Sequence, residues 1–116
     1  MTLEEIVKEA IATGVAARDA KTAELQHTAA REGRREEELC GWSWITIDTH
    51  IFAKLQELSL TGVRVDDDGD AANPCKLYLE DVSHYHRLVA SLVGLQAAAT
   101  YMRSHGIKAD QAGMLD

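Results

Sequence analysis

From Leu3 onward, apolar residues recur at three- and four-residue steps through Ile6, Val7, Ala10, Ile11, Gly14 and Ala17, and Ala20, Ala23 and Leu25 continue a weaker stripe. That period is the period of a helix. Thr2 stands three residues before Glu5, the capping-box spacing that satisfies the free amides at a helix start. Residues 1–39 therefore read as a long helical arm, continuous or broken near Gly33. The arm is rich in Ala and Gly and holds no aromatic ring, so it adds little bulk to a core but can approach another helix closely.

The aromatic residues Trp42, Trp44, Phe52, Tyr78, Tyr85 and Tyr101 all follow the arm, which places the main core beyond it. Ile47, Ile51, Leu55 and Leu58 follow helical spacing with Phe52 beside them, and Thr46 or Asp48 can cap the start. Together they predict a second helix within 42–60, which Gly62 helps to end. Val63-Arg64-Val65 and Lys76-Leu77-Tyr78-Leu79-Glu80 then alternate around an acidic insert, Asp66-Asp67-Asp68-Gly69-Asp70. Asp-Gly between alternating segments signals a β-hairpin over 62–80, and Asn73-Pro74 closes its loop against helix.

The last pattern is the clearest. Tyr85, Leu88, Leu92, Leu95, Ala99 and Met102 form a heptad-like seam with Val82, Val89 and Val93 as a second row beside it, predicting a helix over 81–105 capped by Asp81 or Ser83. A helix this apolar belongs in the centre of the molecule or in a dimer interface, for which Tyr85, Leu88, Val89, Leu92, Val93 and Leu95 are the candidates. Gly106 and Ile107 fit a Schellman ending. Residues 108–116 show no periodicity and read as a loose tail. The expected fold is α+β and mostly helical, a single compact domain over 1–107 with one hairpin, for which a winged-helix-like arrangement stands as one option.

Charge changes that picture. The chain of 116 residues carries a net −7, concentrated in its first two thirds. A wing bearing Asp66, Asp67, Asp68 and Asp70 repels phosphate, and the helix within 42–60 offers Lys54 as its one firm cation. Nucleic acid is thus an unfavoured partner, and a winged-helix DNA-binding regulator is the alternative reading. The acidic start lacks the basic head of an export signal, and every apolar run is interrupted well short of the ~20 residues a bilayer requires. A cytoplasmic protein without a membrane span is expected, with Cys40 and Cys75 as buried free thiols.

The candidate chemistry is thin. With Gly69 as the sixth residue of a calcium loop, its first would be Arg64 and its twelfth Cys75, where carboxylates are required. His84 and His86, two apart on a helix, diverge by roughly 200° and cannot chelate one ion. A triad of Cys40 or Cys75 with His50 and Asp48 needs a geometry that spacing does not supply. No cofactor is implied, and a weak metal-binding protein or small enzyme is a third reading. Trp42-Ser43-Trp44 is read with one ring in the core and the other over the helix junction or free as an anchor. The sequence favours a non-enzymatic protein-interaction module: a small acidic regulator, adaptor or inhibitor of a basic protein, acting as a homodimer. Trp42, Trp44 and the four tip aspartates are its candidate contact residues.

Overall fold

The computed structural model describes residues 1–36, 39–67 and 75–116. The chain runs α1 (Leu3–Arg31), β1 (Gly41–Ile47), α2 (Thr49–Leu58), β2 (Val63–Asp66), β3 (Cys75–Leu79), α3 (Leu88–Ser104) and β4 (Asp110–Leu115). The strands form one antiparallel sheet in the order β2-β3-β1-β4. From β1 onward this is a split βαβ, ferredoxin-like plan to which α1 is added. The α+β class holds, and the hairpin is present with Val63 opposite Leu79 and Asp66 opposite Lys76. It is not a detached wing, because β3 also pairs with β1.

The sequence rules explain most ends. Thr2 and Glu5 close the capping box of α1, and those same Thr2 hydrogen bonds hold the Glu5 carboxyl below its ordinary range. Gly33, with φ of +67°, takes the left-handed turn that follows the helix. Asp48 caps α2 by accepting the Ile51 N–H at 2.8 Å. Ser59, not Gly62, ends it in a left-handed conformation with φ of 49°. After α3, Gly106 has φ of +80° and Ile107 donates to the Met102 carbonyl, as a Schellman ending requires.

Three expectations need correction. Residues 41–47 are a strand and not the opening of a helix: Gly41, Ser43, Ile45 and Ile47 turn inward while Trp42, Trp44 and Thr46 turn outward. The alternation was hidden by large rings at positions where a surface strand normally carries polar groups. The last helix starts at Leu88, and Asp81 and Ser83 do not cap it. The Leu39 carbonyl takes the Leu88 N–H, and the Ser91 hydroxyl bridges the His84 N–H and C=O at 2.8 and 3.2 Å, holding 81–87 as turns. Residues 110–115 form β4 and are not a loose tail, because β1 supplies a distant backbone partner that no local period announces.

All three helices contribute to one core on one side of the sheet. Its fully buried members include Val7 from α1, Leu55 from α2, Leu95 and Met102 from α3, and Ile45, Leu77 and Leu79 from the strands. α1 and α3 make the most extensive contact between elements. They cross at Gly14 and Gly94, where a Cβ on Gly94 would lie 2.7 Å from the Gly14 carbonyl oxygen. Arg18 extends from the same crossing and donates to the Asp81 carbonyl, tying α1 to the turn after β3.

Candidate functional site

The strand period that sends Ile45, Leu77 and Val65 inward sends Trp42, Trp44, Arg64, Lys76, Tyr78 and Met114 to the opposite face of the sheet. The core lies on the other side, so this face carries no helix among the described residues. Its aromatic and cationic side chains form a row. The Arg64 guanidinium carbon lies 4.0 Å from the centroid of Tyr78, the Tyr78 ring is 6.2 Å from Trp44, and the Lys76 ammonium is 4.6 Å from the Trp44 ring. Arg64 also pairs with Asp66 at 2.8 Å. Such stacks are worth roughly 0.5–1 kcal/mol each at exposed positions, enough to fix ring orientation.

A second aromatic group stands at the end of the sheet where β1 begins. Trp42 and Tyr85 meet edge to face at 5.3 Å, and Tyr85 meets His86 at 5.0 Å. The backbone sets this pair, since Gly41 N–H donates to the Tyr85 carbonyl. Between the two groups lies an open hollow of about 230 Å³ lined by Trp42, Arg64, Tyr78, Glu80, His84 and Tyr85. Beside it Trp42 is 46% exposed and Met114 is 56% exposed. Met114 is the direct cross-strand neighbour of Trp42 and extends the aromatic face, whereas Leu115 pairs with Gly41 and turns to the helix side.

Neither Trp enters the core. Positions i and i+2 of a strand share a face, so Trp42 and Trp44 point the same way, and Ser43 is the one that faces inward. Of the tip aspartates, Asp66 is half-buried beside Arg64 and Asp67 is exposed, while Asp68 and Asp70 lie outside the described residues. Of the proposed dimer residues, Leu88 and Leu95 are buried within the chain, Leu92 and Val93 are half-buried, and Tyr85 and Val89 are each 36% exposed. The aromatic face thus unites Trp42 with Tyr85, which sequence reasoning had assigned to two different surfaces. It missed Arg64, Lys76, Tyr78 and Met114, all visible once 41–47 is read as a strand.

The titratable groups do not assemble as the triad requires. Asp48 spends its carboxylate on the Ile51 amide, His50 is exposed on α2, and Cys75 is buried, its thiol pKa raised by desolvation and then by the Asp67 and Asp48 carboxylates. Cys40 is only half-buried, and its Sγ lies 3.5 Å from His86 Nδ1, a pairing the sequence did not suggest. His84 and His86 sit in a turn, where helical divergence does not apply. Among the described residues, no three His, Cys, Asp or Glu side chains converge as a metal site. Nor is any helix among them long and apolar enough to cross a membrane. Comparison of the chain with protein families, curated proteins and solved structures gives no match.

Proposed function

We propose that this chain is a non-catalytic protein-binding module, a small acidic regulator, adaptor or inhibitor that docks a basic partner on its open sheet face and acts as a homodimer. The observation that carries the reading is Trp42: a large ring 46% exposed, held in place by Tyr85 and continuous with Met114. Rigid, exposed aromatic side chains ringed by apolar neighbours are the usual anchors of protein interfaces, and contiguous apolar surface of this kind is uncommon on isolated domains. Basic chemistry in the partner is supported by the net charge of −7 and by the carboxylates that cluster at the hairpin. The cations of the face do not favour nucleic acid, because Arg64 is paired with Asp66 and both it and Lys76 rest on rings.

The test is affinity capture from the native source with wild-type chain and with the Trp42→Ser/Trp44→Ser variant in parallel, after circular dichroism shows that the variant folds. A basic protein held by the wild type and released by the variant is the expected result, since losing an anchor costs about 2 kcal/mol or more, roughly thirtyfold in affinity. Identical captured sets would overturn the reading. Replacing Asp66, Asp67, Asp68 and Asp70 by Asn should slow association with that protein and flatten its salt dependence.

A further inference from the structure

We infer that β4 pairs antiparallel with the β4 of a second copy about a two-fold axis at Ala112, merging two four-stranded sheets into one continuous sheet. The inference rests on the homodimer named above and specifies its interface; it does not depend on what the aromatic face binds.

The sheet has two edges, β2 and β4, and they differ in kind. β2 carries Arg64 and Asp66, charges of the sort that discourage strand addition. β4 reads Asp-Gln-Ala-Gly-Met-Leu, with no Lys, no Pro and an unbroken register against β1 from Asp110 to Leu115; Arg103 donates to the Ala109 carbonyl and pairs with Asp110 at 3.3 Å at the start of the strand, leaving Gln111 to Leu115 open. Asp116 N–H donates to the Cys40 carbonyl. In an antiparallel ladder alternate residues point the same way, so the even-numbered residues of β4 bond β1, and 111, 113 and 115 aim their N–H and C=O groups outward.

Charge selects the register. Residues directly opposite in an antiparallel pair share a face, so the axis must pass through a residue position. With the axis at Ala112, Gln111 faces Gly113 of the second copy, Asp110 faces Met114, and exposed Lys108 faces exposed Asp116 on both sides of the axis. Moving the axis to Gly113 gives up the Lys108–Asp116 match and sets Asp110, whose carboxylate pairs with Arg103 at 3.3 Å, against Asp116. The side beneath the sheet agrees: a Cβ on Gly113 would lie 2.9 Å from Leu92 Cδ2, so Leu92 sits directly under β4 beside the axis. Pairing brings the two α3 helices together and covers Leu92, Val93 and Val89, which the monomer leaves half-exposed.

Sedimentation velocity over a concentration series tests this with wild type, Gln111→Pro, Lys108→Glu and the double variant Lys108→Glu/Asp116→Lys, each first shown to fold by circular dichroism. Wild type should dimerise. Gln111→Pro, which removes an outward N–H that β1 does not use, should be monomeric. Lys108→Glu should weaken the dimer about tenfold by turning two ion pairs into repulsions, and the double variant should restore it. A monomeric wild type at high micromolar concentration removes the homodimer itself. A dimer that both Gln111→Pro and Lys108→Glu leave intact retains the homodimer and overturns the β4 pairing. Should Gln111→Pro fail to fold, the loss and recovery in the charge-swap pair decides alone.

Discussion

The crossing of α1 and α3 gives a test whose sign is set by two opposed effects. A methyl group on Gly94 would stand 2.7 Å from the Gly14 carbonyl oxygen, 2.8 Å from Val82 Cγ1 and 3.0 Å from Arg18 Cβ. Gly94→Ala gains helix propensity, about 1 kcal/mol in favour of folding. Against it stands overpacking of roughly 1–3 kcal/mol or more, at the upper end here because backbone oxygen cannot rotate away. The helices must part, loosening the layer in which Ala98 and Leu95 are fully buried. The net expectation is a loss of about 1–2 kcal/mol, a drop of about 4–8 °C in Tm for a domain of this size. Gly14→Ala meets its nearest neighbours at 3.0 Å and should be the milder change. Thermal and urea unfolding followed by circular dichroism measures both. If Gly94→Ala melts at or above the wild type, propensity has won and the helices do not cross this closely.

Asp48→Ala should destabilise by about 1 kcal/mol in the same assay, because it frees the Ile51 amide at the start of α2. Ser59→Gly should instead raise stability by about 0.5 kcal/mol, since the left-handed conformation at φ of 49° strains a residue with a Cβ and suits glycine. An aromatic disulfide reagent at neutral pH should titrate Cys40 rapidly and Cys75 only after denaturation, because burial and two nearby carboxylates oppose the Cys75 thiolate. Raising the pH short of unfolding should not expose Cys75, whose pKa is shifted upward. Fast reaction of two thiols in the native protein would contradict the placement of β3.

What was legible in the sequence was what local chemistry decides. The capping box at Thr2, the cap at Asp48, one of two residues offered for it, and the Schellman turn at Gly106 each depend on a few adjacent residues and appear in the structure, whereas the arm read over 1–39 ends as a helix at Arg31, just before the Gly33 at which a break was one option. The hairpin was legible for the same reason. What escaped depends on distant partners. β4 has small or mixed side chains and becomes a strand only because β1 lies beside it. Trp42-Ser43-Trp44 looked like a helix approach with one ring in the core and the other outside it, whereas both lie on the open face. The excess apolar character of α3 pointed to a central position or a dimer interface; within the chain its face packs on α1 and the sheet, where Leu88 and Leu95 are buried. The site was therefore half visible: Trp42 and Trp44 were named, but the row with Tyr78, Arg64 and Lys76 required the strand register.

The central claim is that partner protein meets the open face of the sheet and not the outer surface of the helices. A photo-crosslinking amino acid placed at Met114, beside Trp42 on the open face, and separately at exposed Ala16 on α1, tests it directly in the native extract. Irradiation should join a basic protein to the chain labelled at position 114 and leave the chain labelled at position 16 without it. A partner captured from position 16 and absent from position 114 would contradict the account.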